Sequence, residues 1–451
     1  MSAHFDLILK GGTCLTPGGR QVTDIGVCAG RIAALGDLAG ADADERFDAD
    51  GLHLLPGVID SQVHFREPGL EHKEDLASGS AGAALGGVTG FFEMPNTKPG
   101  TLSAADLADK LARAAGRVWT DHAFYVGAAA ENVDALADLE RLPGCAGIKV
   151  FMGSSTGSLL VPDDATLARV LAAGFRRIAV HCEDEDRLEA RKADIPDGAG
   201  SEYHPVWRDE ETALAATRRL TALARAAGRR VHVLHVTTDA EMALLADFRD
   251  VASVEVTPQH LTFAAPDCYE RLGSLAQMNP PIRAARHRDA LWRAVRDGLV
   301  DVVGSDHAPH TREEKARPYP QCPSGMTGVQ TLLPVLLDHV AKERLTLERL
   351  VDLTSAGPAR LFGLAGKGRI ALGNDADFSV VDLKARRRIS NDWIASKSGW
   401  TPYDGMTVTG WPVATVLRGR FVMREDELQG APEGRPLRFT ECLPPAPDRA
   451  A

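Results

Sequence analysis

The chain has no excess of basic residues, no long apolar run and no ordered array of cysteines, and each absence removes a class of function. Fifty-one Lys and Arg stand against 62 Asp and Glu, a formal charge of −11. That balance argues against a nucleic-acid or anionic-membrane surface, which needs clustered cations. No uninterrupted apolar stretch approaches the ~20 residues that a membrane span requires. Residues 1–10 show no basic segment followed by an apolar core and a small-residue cleavage site, so no secretory signal is expected. The seven cysteines, Cys14, Cys28, Cys145, Cys182, Cys268, Cys322 and Cys442, are odd in number and widely spaced. They form neither a disulfide framework nor a CxxC metal knuckle, and a reducing cytoplasm fits.

What is present is ordinary in bulk and specific in pattern. Hydrophobic residues at 44% and charged residues at 25% suit a soluble globular protein acting on a small molecule. Short β-like runs at 5–9, 25–27, 31–35 and 52–55 open the chain, separated by Gly and Asp turn signals. Similar runs return at 368–372, 377–382 and 414–422, so the two ends (1–55 and 366–430) are expected to form one small β-sandwich domain. Residues 56–365 alternate β-like runs with helical stretches, the mark of βαβ units and a parallel sheet. The predicted strands are 57–63, 89–94, 122–127, 147–151, 177–181, 230–236, 253–257 and 300–305. Helix signals between them include the capping box Thr238-Asp239-Ala240-Glu241 and the stretch 210–227, stopped by Gly228. The expected fold is therefore an α/β, TIM-like (β/α)8 barrel, whose chemistry lies at the carboxyl ends of the strands. The tail, 431–451, is rich in Pro and Arg and is expected to be loosely ordered.

Chemistry-bearing residues stand at those strand exits. At the first, positions 62, 64 and 66 share a face, which sends Gln62, His64 and Arg66 to the barrel mouth. Alone, His64 reads more readily as a hydrogen-bonded core histidine than as a metal ligand. At the fourth exit, Lys149 interrupts an apolar run, where an ammonium is costly unless paired or neutralised. A neutral amine there can add carbon dioxide to give a carbamate, whose two oxygens can bridge cations; a lysine whose head reaches back to solvent fits the same run. Strands five and six end in His181 and His235, at equivalent depth, and neutral imidazoles suit zinc and other first-row metals. Cys182, Glu183 and His232 are read as packing or supporting residues. Asp306, leaving the eighth run, suits a metal-bound general base, with a helix N-cap as its alternative.

These residues carry a resemblance. The chain resembles the class I dihydroorotases of the amidohydrolase superfamily over about residues 11–423. The matching motifs are Val63-His64-Phe65-Arg66-Glu67-Pro68-Gly69, Met94-Pro95-Asn96-Thr97, Ile148-Lys149-Val150-Phe151, Val256-Thr257-Pro258, Asn279-Pro280-Pro281-Ile282-Arg283 and Ser305-Asp306-His307-Ala308-Pro309-His310. Hydantoinases and allantoinases share the scaffold, but the Met-Pro-Asn-Thr and Asn-Pro-Pro segments favour dihydroorotase. The resemblance implies that His64 and Asp306 bind a more buried metal, that His181 and His235 bind a second, and that N6-carboxylated Lys149 bridges them. It implies one or two zinc ions or another divalent metal, Asp306 as catalytic proton carrier, Arg66 and Asn96 on the substrate carboxylate, and Asn279, His310, Ser324 and Gly325 on the ring. A homodimer or higher homo-oligomer, with association with aspartate transcarbamoylase as a further option, completes the expectation.

Two positions depart from the family pattern. Its His-x-His reads Gln62-Val63-His64, and its Thr-Pro-His-His reads Thr257-Pro258-Gln259-His260. A Gln carbonyl is a weaker, harder ligand than imidazole, so the buried ion would be loosely held, of another kind, or absent. Three functions remain in play: dihydroorotase, another cyclic-ureide hydrolase such as a hydantoinase or allantoinase, and a silent dihydroorotase-like partner of aspartate transcarbamoylase. Arg66 and Asn96 weigh against the second. The survival of Lys149, His181, His235 and Asp306 weighs against the third.

Overall fold

Runs such as Val-Thr-Gly-Phe-Phe-Glu and Cys-Ala-Gly-Ile-Lys-Val-Phe are buried along their whole length, the pattern of strands covered on both faces. A computed structural model, which describes residues 4–154 and 159–442, places them in an eight-stranded parallel sheet. Amino-terminal to it run β1 (His4–Thr16), β2 (Gly19–Cys28), β3 (Arg31–Gly36), β4 (Asp42–Asp48) and β5 (His53–Pro56). The barrel strands are β6 (Val58–Val63), β7 (Val88–Glu93), β8 (Asp121–Gly127), β9 (Cys145–Phe151), β10 (Ile178–His181), β11 (Val231–Val233), β12 (Ala252–Val256) and β13 (Val302–Val303). They pair in consecutive order, and a parallel bridge between Val63 and His307 joins the last to the first, with the His64 N–H on the His307 carbonyl at 2.7 Å. All eight predicted runs thus become strands of a (β/α)8 barrel.

The intervening helices begin and end where the sequence signals. Thr238 and Glu241 form the expected capping box, and the helix Glu210–Ala227 starts from Asp209 and stops at Gly228, whose φ is 63°. The outer faces of the strands and the inner faces of these helices share one large apolar core.

The remaining strands, β14 (Phe378–Arg388), β15 (Thr407–Leu417), β16 (Arg420–Arg424) and β17 (Glu427–Leu428), join β1–β5 in a nine-stranded sheet. There β14 pairs with β5, so both ends of the chain meet beside the first barrel strand. Two expectations need correction. The segment 368–372 is not a strand: Gly368, at φ 78°, turns the chain where an added Cβ would lie 2.6 Å from the Ser355 carbonyl. The described part of the tail, 431–442, is ordered. The His122 N–H donates to the Arg435 carbonyl and the Leu437 N–H to the His122 carbonyl. Leu437 and Phe439 then fill the amino-terminal floor of the barrel beside Phe92 and Phe362. The expected loose order of 443–451 lies outside the described residues.

Candidate metal centre

The carboxyl ends of the strands open on a cavity lined by Gln62, His64, Arg66, Lys149, His181, His235 and Asp306, with Asn279, Ser324 and Gly325 on its rim. Ten of the twelve sequence-predicted residues are therefore together. Asn96 and His310 stand one layer behind, each bonded to a lining residue. Backbone geometry at the exits is unusual: Arg66, His235 and Asp306 have φ of 65°, 39° and 45°. Left-handed conformations of such residues cost of order 1–3 kcal/mol each and concentrate at functional sites.

Burial governs the electrostatics. The His64 imidazole is held well below its ordinary pKa by burial and then by Arg66 and Lys149, so it is neutral. With the Asn96 amide oriented oxygen-first, His64 Nδ1–H donates to Asn96 Oδ1 at 2.8 Å. This leaves the Nε2 lone pair facing Asp306 Oδ1 at 3.3 Å, acceptor against acceptor. Across the cavity an unmet lone pair remains instead. His181 Nε2–H donates to Glu183 Oε2 at 2.9 Å, so the His181 Nδ1 lone pair accepts from His235 Nε2–H at 3.1 Å, which leaves the His235 Nδ1 lone pair buried without a partner. A cation would relieve the opposed His64–Asp306 pair, and neutral imidazoles with a carboxylate are the donor set that zinc and similar ions take. The residues present fit such an ion.

Lys149 is 1% exposed, and burial pulls its pKa down to about 7, against a smaller opposing pull from Asp306. No carboxylate among the described residues forms a salt bridge with it, and its Nζ lies 4.4 Å from the Phe151 ring centroid. Burial also pushes Asp306 up to about 7, against the pull of Lys149 and His181. Gln62 lies beside them, and its Nε2 donates to Asp306 Oδ1 at 3.0 Å while its own Oε1 is buried without a partner. Gln259 is behind the cluster, where it donates to the Ser305 carbonyl at 2.8 Å.

Arg66 is the odd charge of the site. It is 1% exposed, its Nε donates to the Pro309 carbonyl at 3.2 Å, its Nη2 lies 3.3 Å from His310 Nε2, and its Nη1 has no partner. Burial lowers its pKa to about 10. A guanidinium taken from water without a counter-charge costs several kcal/mol, and a carboxylate ligand would supply what is missing. The rim is shaped by backbone: at Gly325, φ 147°, an added Cβ would sit 2.2 Å from the Ala308 carbonyl.

Several supporting residues escaped the sequence reading. Glu183, expected only as packing or support, also takes a bidentate contact from Arg208; burial alone would raise its carboxyl, but Arg208 and His181 hold it well below the carboxylate range. His204, fully buried, meets Asn279 Oδ1 at 2.9 Å. Arg208 and His204 occupy no strand exit, and nothing in their local sequence signals the contact. Elsewhere, Glu210, Asp239 and His287 also come together, but Arg286 bridges the two carboxylates, so this group is an ion-pair network.

A parallel barrel with histidines, a lysine and an aspartate converging at its strand exits defines an α/β-barrel enzyme. The chain belongs to the amidohydrolase family, whose profile matches residues 53–422. A dihydroorotase of Halobacterium salinarum is 39% identical over 93% of this chain and 97% of its own. An allantoinase of Rubrobacter xylanophilus is 38% identical over 97% and 98%. Among solved structures, the L-hydantoinase (dihydropyrimidinase) of Arthrobacter aurescens superposes with a TM-score of 0.90 at 30% identity, covering 95% of this chain and 98% of that one. No helix among the described residues is long and apolar enough to cross a membrane.

Proposed function

We propose that this chain is a metal-dependent dihydroorotase, interconverting (S)-dihydroorotate and N-carbamoyl-L-aspartate in pyrimidine biosynthesis. The observation that carries the choice among cyclic amides is Arg66, a buried guanidinium at the cavity wall with Nη1 unsatisfied. Dihydroorotate bears a carboxylate that would complete it, whereas the rings of hydantoin and allantoin bear none. Four curated relatives named dihydroorotase, 34–39% identical to this chain, support the same choice.

In this reading Arg66 and Asn96 hold the carboxylate, and Asn279, His310, Ser324 and Gly325 border the ring. His64, His181, His235, Asp306 and an N6-carboxylated Lys149 would hold one or two divalent ions, zinc being the first choice. When bound, such an ion supplies Lewis acidity toward the ring carbonyl and acidifies water. Asp306 takes the proton of the attacking water and delivers it to the departing ring nitrogen. Gln62, through its amide on Asp306, orients that carboxylate. The proposal extends to a cytoplasmic homodimer or higher homo-oligomer, which light scattering would test, and co-sedimentation would test association with aspartate transcarbamoylase.

A second reading, an allantoinase- or hydantoinase-like hydrolase, draws on relatives named allantoinase at 34–38% identity. Assay of one metal-loaded preparation on dihydroorotate, N-carbamoyl-aspartate, hydantoin and allantoin separates the two. Turnover confined to the carboxylate-bearing pair is the expected result; preference for hydantoin or allantoin would select the second reading.

A further inference from the structure

The helix Arg312–Lys315 follows the eighth strand exit and opens with a capping box in which Thr311 and Glu314 satisfy each other's backbone N–H groups. Its last residue, Lys315, turns inward and is 1% exposed. The Lys315 ammonium donates to three backbone carbonyls, those of Pro323 at 2.8 Å, Gln277 at 3.1 Å and Gly325 at 3.2 Å. No carboxylate among the described residues forms an ion pair with it, and the Trp400 ring lies 5.8 Å away. An ammonium has three N–H bonds, and three carbonyl oxygens satisfy them all. Withdrawal of any one carbonyl would leave a charged donor buried and unmade, so the cage resists opening.

The three carbonyls belong to two segments that are distant in sequence. Gln277 leads directly into Met278 and Asn279, while Pro323 and Gly325 flank Ser324. Asn279, Ser324 and Gly325 line the cavity; Lys315 does not. The segments are also stitched to each other: the Gly325 N–H donates to the Gln277 carbonyl at 2.9 Å, and Gln277 Nε2 donates to Ser324 Oγ and to the Cys322 carbonyl, both at 3.0 Å.

We propose that Lys315 is a positioning residue, whose ammonium clamps segments 277–279 and 323–325 into one rigid wall of the substrate cavity without touching the substrate. The inference rests on the reading of that cavity as the substrate site. It is tested with Lys315→Met, which keeps the length of the side chain and removes the donors, in the full metal-loaded protein. Met removes the desolvation cost of the charge but leaves the Pro323 and Gly325 carbonyls without this donor, so Tm should fall by no more than about 5 °C. Amide exchange at Asn279, Ser324 and Gly325 should accelerate by about tenfold or more, because the local opening loses its restraint. KM for dihydroorotate should rise about tenfold with kcat changed less than about threefold, the signature of lost ground-state positioning. Unchanged exchange at these amides, or parallel losses of Tm, kcat and affinity, would overturn the clamp. Should the Met variant fail to fold, Lys315→Gln, which retains two donors, gives the same readouts: faster exchange supports the clamp and wild-type exchange contradicts it. If the wild-type protein does not turn over dihydroorotate, the functional reading fails, while the exchange measurement still decides the role of Lys315.

Discussion

The two ends of the barrel treat buried charge in opposite ways. At the amino-terminal floor, Lys367 lies among three carboxylates, with Asp121 at 2.7 Å, Asp375 at 3.0 Å and Asp377 in contact, and Arg418 also pairs with Asp121. Although burial opposes it, this company raises the Lys367 pKa above its ordinary value. At the carboxyl-terminal mouth, Arg66 and Lys149, each 1% exposed, are more deeply buried than Lys367, yet no carboxylate pairs with either among the described residues, and burial lowers both pKa values. A protein retains unpaired buried charge only where something else completes it. The floor is completed from within, and the mouth is built to be completed by ligands.

That contrast can be broken by substitution. Asp306→Asn should lower kcat by about 10³–10⁴-fold, since proton transfer at the reacting atoms is lost. Tm should stay close to wild type; a near-normal rate would remove Asp306 from the chemistry. Lys367→Met, at the floor, removes the cation shared by Asp121, Asp375 and Asp377, leaves Asp377 with none, and should cost about 3–5 kcal/mol of stability. Urea unfolding would read this, with kcat per folded molecule unchanged. Because the folded pKa of Lys367 is raised, its contribution is full below the unfolded value of about 10.4 and is lost only as pH rises through the folded value. The deficit of the Met variant should therefore be flat from about pH 6 to 9.

The mouth should respond in the opposite sense. Arg66→Met removes an unpaired buried charge, so Tm should hold or rise, while kcat/KM for dihydroorotate falls about a hundredfold. A large loss of stability would show that Arg66 is structural. Gln62→His gives the smallest expected change: a gain of metal per chain, read by elemental analysis, as imidazole replaces an amide that now bonds Asp306. An unchanged metal content would show that position 62 does not limit binding.

The strand exits were legible because a parallel strand announces itself as a short apolar run and its exit as the first residue that breaks the run. His64, Lys149, His181, His235 and Asp306 were found in this way. What braces them was not legible. The Arg208 contact with Glu183 and the His204 contact with Asn279 join residues 25 and 75 positions apart, and such pairs are fixed by packing rather than by local pattern. Strand β4, Asp42–Asp48, was missed because it is largely exposed and polar and carries no apolar alternation. The tail misled for the converse reason: its Pro and Arg content suggests loose order, but Leu437 and Phe439 are enough to seal the floor.

The most direct test of a mouth built for a metal and a carboxylate-bearing cyclic amide is turnover by the metal-loaded protein, with dihydroorotate compared with hydantoin under the same conditions. The account predicts that kcat/KM for dihydroorotate exceeds that for hydantoin by about a hundredfold or more, and that chelation abolishes turnover. Equal or greater activity on hydantoin, or turnover that survives removal of the metal, would contradict it.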